Sequence, residues 1–204
     1  VLVFAEFSDQ RLYRLDPGAR EPIPLTPADE GMRFAALSIR SNNGNDGNDG
    51  NDVIAVRETH RDGDIERDIV AVPLDGGAAH DATAIRSMVS GSRFLANPRI
   101  SPDGSRLAWI AWDHPNMPWD GTELRVGRID DGVVAEYETL GGGTSESMLQ
   151  PEWALDDALY AISDSTGWWN LYRFALDGAV TPLHRMEADI GAPMWGLAMR
   201  WYSV

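Results

Sequence analysis

Few residues of this 204-residue chain have the types and spacing that chemistry needs. Cysteine is absent, which excludes thiolate nucleophiles, disulfides and cysteine-ligated zinc. All 17 basic residues are arginine. A P-loop lysine, a Schiff-base lysine and a Ser-Lys dyad are therefore excluded within these residues. A hydrolase-type serine sits in G-x-S-x-G between a strand and a helix, and the chain has no such stretch. Gly141-Gly142-Gly143-Thr144-Ser145 comes nearest. It reads as a loop, lacks the following glycine and has no βα pattern around it.

Metal chemistry is no better supplied. His114 lies near Asp113 and Asp120, and His60 near Asp62 and Asp64. Neither His-x₃-His nor His-Glu-x-x-His spacing occurs, so these residues read as loop-orienting hydrogen bonders. The tract from Ser41 to Asp52 repeats Asn, Asp and Gly in near-triplets. Asp46, Asp49 and Asp52 offer hard oxygen ligands for calcium, but the spacing is not that of an EF-hand. With no bulky apolar residue to pack, residues 42–52 read as a flexible low-complexity loop. No metal, no cofactor and no catalytic residue is expected in this chain.

Charge bounds the partners. The formal net charge is -15, with the acidic residues scattered as solvated loop charge. Nucleic acid needs clustered cations and is excluded as a partner. No apolar run is long enough to span a membrane, so no membrane partner is expected either. A cysteine-free chain suits the reducing cytoplasm, the expected location. The chain opens on Val1 inside a strand-like run, Val1–Ala5, and is expected to be incomplete.

The elements that must position any site are strands. Short runs rich in Val, Ile, Leu, Trp and Tyr sit between Asp, Gly, Asn and Pro: Val53–Arg57, Asp68–Leu74, Arg106–Trp112, Glu123–Ile129, Ala158–Ser163 and Asn170–Leu176. No sustained helical period appears, so the fold class is all-β. The runs also repeat. Prolines at 98, 151 and 193 open similar units, 53 and 42 residues apart. Asp16-Pro17-Gly18, Asp75-Gly76, Asp131-Gly132 and Asp177-Gly178 mark a recurring turn. Periods of about 40–50 residues with four strands each indicate β-propeller blades. The chain divides into a partial blade at 1–27, full blades at 28–92, 93–145 and 146–187, and a partial blade at 188–204. Residues Ala198–Val204 read as a second strand of that last blade. The inner strands read Ala35–Arg40, Asn97–Ser101 and Gln150–Ala154. Only Glu152 on them is acidic, which gives no support to a glycosidase-type carboxylate pair.

Strands alternate direction in a blade, so the second-to-third loops share an edge. These are Glu58–Glu66, Asp113–Thr122 and Asp164–Trp169. Trp112, His114, Met117, Trp119, Trp168 and Trp169 lie in or beside the last two. Clustered apolar side chains on one edge mark a docking surface or a substrate chamber. The alternative is that the tryptophans pack only between blades.

Three stretches carry a resemblance. Ser101-Pro102-Asp103-Gly104-Ser105-Arg106-Leu107-Ala108 resembles the repeat of prolyl oligopeptidase and TolB-type propellers. The run Trp112–Leu124 and the run Ser163–Arg173 resemble bacterial acylaminoacyl-peptidase and dipeptidyl-aminopeptidase-like members of the prolyl oligopeptidase family. The likeness covers roughly residues 50–204. It implies a serine peptidase in which a propeller caps an α/β-hydrolase domain and admits only short peptides. That domain is absent from this chain, so the resemblance implies no catalytic residue here. The expected function is a non-catalytic, substrate-gating propeller, with the α/β-hydrolase domain of the same protein and peptide substrates as partners. The rival is a TolB-like or WD-type propeller acting as a protein–protein scaffold.

Overall fold

Strand formation follows the alternation of apolar residues along short runs between turn residues. The computed structural model describes residues 1–29, 31–40 and 52–204. Among the described residues, fifteen strands form four antiparallel sheets. Strands β1 (Leu2–Ala5), β2 (Leu12–Leu15) and β3 (Ile23–Pro24) make the first. The second holds β4 (Met32–Arg40), β5 (Asp52–Arg61), β6 (Asp64–Pro73) and β7 (Arg86–Ser90). The third holds β8 (Phe94–Ile100), β9 (Arg106–Trp112), β10 (Glu123–Arg128) and β11 (Tyr137–Gly142). The fourth holds β12 (Met148–Trp153), β13 (Leu159–Ser163), β14 (Asn170–Phe174) and β15 (Val180–Pro182). Each strand pairs with its neighbour in sequence, as in propeller blades.

Two compact units result, Val1–Gly91 and Ser92–Val204. In the first, Leu12, Leu25, Val53, Val70 and Val72 form the centre of a core between its two sheets. In the second, Ile110, Leu124, Met148, Leu149, Leu159 and Ile162 do the same. The recurring Asp-Gly turns lie between the last two strands of each sheet. Their glycines all have φ near +80°, from 78° at Gly132 to 88° at Gly178. An L side chain rarely adopts that conformation, which fixes the residue type there.

The inner strands share a further device. The register slips between Ala35 and Ser38 in β4, between Ala96 and Arg99 in β8, and between Leu149 and Glu152 in β12. One residue at each slip is left-handed: Ala36 (φ 54°), Asn97 (φ 49°) and Gln150 (φ 45°). A bulge of this kind takes a residue out of the ladder and re-aims its side chain. In β8 and β12 the next residue is proline, which has no N–H to give a ladder and is tolerated at a bulge.

Three expectations change. Gly141 and Gly142 belong to strand β11, because pairing with Leu124 and Glu123 of β10 overrides the poor strand propensity of glycine. Glu58–Glu66 is largely strand: β5 and β6 pair as far as Arg61 and Asp64. Opposite charges support that extension, with Arg57 to Asp68 at 2.7 Å and Arg67 to Glu58 at 2.7 Å. Residues 183–204 form no strand; Ala198–Val204 instead lies against side chains of the inner strands.

The Asn/Asp/Gly tract lies outside the described residues from 42 to 51. Asp52 is described: it begins β5, is buried, and accepts a 2.7 Å ion pair from Arg86. Its carboxylate is thereby committed within the sheet. No helix of the described residues is long and apolar enough to cross a membrane.

The β8–β9 turn gives a first testable expectation. Asp103 accepts from Ser101 Oγ at 2.5 Å, Ser105 Oγ at 2.6 Å and Ser105 N at 3.0 Å. These hydrogen bonds, Ser101's first, hold its carboxyl at about 2, below the ordinary 3.8. A depressed folded-state value means the turn's contribution is present above the unfolded value and is lost as pH falls through about 2. Carboxyl-carbon chemical shifts are expected to show Asp103 titrating near 2. A midpoint in the usual aspartate range would remove this role.

Candidate functional site

One edge of the second unit is tied together by hydrogen bonds. The buried Thr122 hydroxyl donates to Met148 O at 2.9 Å and accepts from Met148 N at 2.7 Å. Ser147 Oγ donates to Pro118 O at 2.8 Å, and Ser147 N donates to Asp164 at 2.6 Å. Asn116 Nδ2 donates to Thr144 O at 2.9 Å. The β9–β10 loop, the β11–β12 connection and the start of the β13–β14 loop are thus held side by side. Burial, aided by the charge of Glu146, raises the Asp164 carboxyl above the usual range.

Within that frame Met117 N donates to Asp120 at 2.9 Å, and Asp120 N returns a 2.9 Å bond to Met117 O. This tight turn pushes Met117 and Trp119 outward. Trp119 meets Trp195 at a centroid distance of 4.4 Å, tilted by 43°. Trp112, Met117, Pro118 and Trp119 face Met194, Trp195, Gly196 and Leu197 across an apolar pocket of about 240 Å³. No charged side chain lines it.

The other candidates spread out. Trp112 stacks on Phe94 at 5.1 Å and 11°, and His114 meets the same ring edge-on at 5.0 Å. His114 lines an adjacent polar pocket of about 160 Å³ with Asp113, Asn116 and Thr144, and Trp112 borders both pockets. Trp168 is half-exposed and borders neither pocket. Trp169 packs against the core, with a buried indole N–H that has no partner. The structure therefore gathers Trp112, Met117 and Trp119, sets His114 beside them, and leaves Trp168 and Trp169 apart.

Met194, Trp195 and Leu197 escape the sequence reading, because Ala192–Trp195 looks like the start of an inner strand. Bulge side chains hold this segment instead. Asn97 Oδ1 accepts from Ala198 N at 3.1 Å. Gln150 Oε1 accepts from Trp201 N at 2.5 Å, and Gln150 Nε2 donates to Tyr202 O at 2.6 Å. The Tyr202 hydroxyl closes the set by donating to Gln150 O at 2.6 Å. Burial and the nearby Glu152 charge push that phenol above its ordinary value.

Glu152 is committed to neighbouring arginines. Arg99 binds it at 3.1 Å and Arg200 at 3.3 Å, and Trp153 Nε1 donates to Arg99 O at 3.0 Å. A carboxylate committed to two guanidiniums serves structure. Among the described residues no three metal-ligating side chains gather.

No family model matches this chain, and no curated protein matches it. Solved structures do. The chain superposes on a Mycobacterium tuberculosis puromycin-hydrolysing peptidase with a TM-score of 0.87 at 43% identity, over 96% of this chain and 30% of that one. A variant of puromycin hydrolase complexed with PGG matches with a TM-score of 0.87 at 41% identity, over 97% of this chain and 31% of that one. TolB from Acinetobacter baumannii, at 14% identity and a TM-score of 0.58 over 89% of this chain and 40% of its own, shares the fold alone. The chain spans about 30% of the length of the puromycin-hydrolysing structures it matches.

Proposed function

The chain belongs to the prolyl oligopeptidase family, as a homologue of the family's propeller portion, and on that premise we propose that it gates a serine peptidase. The reaction is hydrolysis of short peptides or aminoacyl amides, carried out by an α/β-hydrolase domain of the same protein. Nucleophilic catalysis there uses a serine activated by histidine. These blades contribute access and substrate contact, with the edge carrying Trp112, Met117 and Trp119 turned to the reacting centre. One observation carries the reading: identity above 40% to two puromycin-hydrolysing structures runs the whole length of these blades. Opposing loops that converge on uncharged aromatic walls suit a chamber for small amides better than a flat scaffold surface.

The test is amide hydrolysis by the complete gene product and by the 204-residue chain. Puromycin, alanyl anilide and acyl-alanyl anilide form the panel. Hydrolysis by the complete product alone is the expected result. Activity in the isolated chain would place the nucleophile within these blades. Inactivity of both would leave the scaffold role as the better description.

A further inference from the structure

The apolar pocket beside Trp119 is more built than a surface patch. This pocket is an open cleft of about 240 Å³ lined by eight residues. A cavity of about 150 Å³ lined by apolar side chains accepts one benzene. The volume therefore suits a single ring with a substituent. Its walls are three indoles, two of them tilted against each other, two thioethers, a proline and a leucine, with no charge among them. Indole faces prefer offset or edge contacts with another ring, and the Met117 sulfur adds a favourable sulfur–aromatic contact. Trp195 is 77% exposed and Met117 46% exposed, so the core leaves both available. The pocket across Trp112 sets His114 beside the groups that flank the ring, together with Asn116 and Asp113, which are already bonded to Thr144 O and Arg93 N.

We propose that Trp119, Trp195 and Met117 form a binding site for one uncharged aromatic ring, the side chain of an aromatic residue in a peptide or aminoacyl amide. The ligand's identity as substrate rests on the peptidase reading above; the ring site itself does not. Asn97 and Gln150 hold the segment that carries Trp195 and Leu197 across β8 and β12. The site thus depends on both blades of this unit.

The experiment uses the 204-residue chain, whose eight tryptophans give eight indole N–H signals. N-acetyl-phenylalanine amide is titrated, with the leucine and glycine amides as comparisons. Saturable shifts at Trp119 and Trp195, with Trp168 unmoved, are expected. Ring contacts predict about two- to tenfold tighter binding than the leucine amide. Gly196 lines the pocket, and a Cβ added there meets no heavy atom within 4 Å, so Gly196→Phe is designed to occupy the pocket without a backbone clash. That variant is expected to stay folded and to lose phenylalanine-amide binding at least tenfold, while Trp168→Ala leaves it unchanged. Unmoved Trp119 and Trp195 signals, equal shifts with the glycine amide, or a dimer in sedimentation that covers Trp195 would each overturn the proposal. In the complete gene product, Gly196→Phe is expected to raise KM for phenylalanyl amides only. Absence of all hydrolysis there would sink the peptidase reading while leaving ring binding intact.

Discussion

Replacing Gln150 by leucine is expected to release residues 194–202 and to lower the unfolding free energy by about 2–4 kcal/mol. Gln150 is fully buried at the β12 bulge. Its amide accepts from Trp201 N and donates to Tyr202 O, at 2.5 and 2.6 Å. A net hydrogen bond contributes about 1 kcal/mol, and each partner left buried and unsatisfied costs about 1–3 kcal/mol. Leucine keeps the volume and removes the side-chain hydrogen bonds while the backbone carbonyl still accepts from the Tyr202 hydroxyl, so the effect isolates the side-chain amide. Urea unfolding measures the loss, and hydrogen exchange at Trp201 N and Tyr202 N reports the release. A loss below about 0.5 kcal/mol, the range of indifferent surface changes, would mean that Trp201 and Tyr202 stay seated by apolar packing alone. The consequence reaches the pocket, because Trp195 and Leu197 lie on the same segment.

Gly142→Ala is expected to be the more damaging change, about 4 kcal/mol or more, or outright failure to fold. Gly142 has φ 90°, and a Cβ there would overlap the Thr122 carbonyl oxygen and come 2.7 Å from Met148 Cγ. Backbone cannot step aside, because Gly143 N already bonds that carbonyl and Thr122 Oγ1 holds Met148. Gly143→Ala is the control. Its φ of 152° also strains an L residue, yet nothing lies within 4 Å of the added carbon. A cost of about 1–3 kcal/mol is expected there. Thermal unfolding of the two variants separates strain from overlap; equal losses would show that φ alone sets both.

Much of this architecture is written locally. The Asp-Gly turns at 75–76, 131–132 and 177–178 specify positive φ by residue type, and each sits between the last two strands of its sheet. The strand Arg106–Trp112 is legible to the residue, because Leu, Ala, Trp and Ile run continuously there and both faces of the sheet are covered. What escapes a local reading is set by partners distant in sequence. Gly141 and Gly142 look like part of a glycine-rich loop until β10 lies beside them. Asn97 and Gln150 look like ordinary strand residues before proline; only the bulged ladder shows that they reach residues 101 and 51 positions further on. Trp119 and Met117 stand out by composition, whereas Trp195 needed a folded chain to join them.

The outer rim of the sheets has a bearing on behaviour in concentrated solution. A terminal strand with free N–H and C=O groups is a template that a second molecule can extend into a fibre. Strand β3 has two residues and ends at Pro24; β15 has three and ends at Pro182. Proline offers no N–H to an incoming strand, and two or three residues give it little to hold. Strand β11 carries an exposed Glu138 between Tyr137 and Thr139, so a like strand approaching it would set carboxylates side by side. Within each unit the sheets pack through their faces, while these three outer strands offer little to an incoming strand.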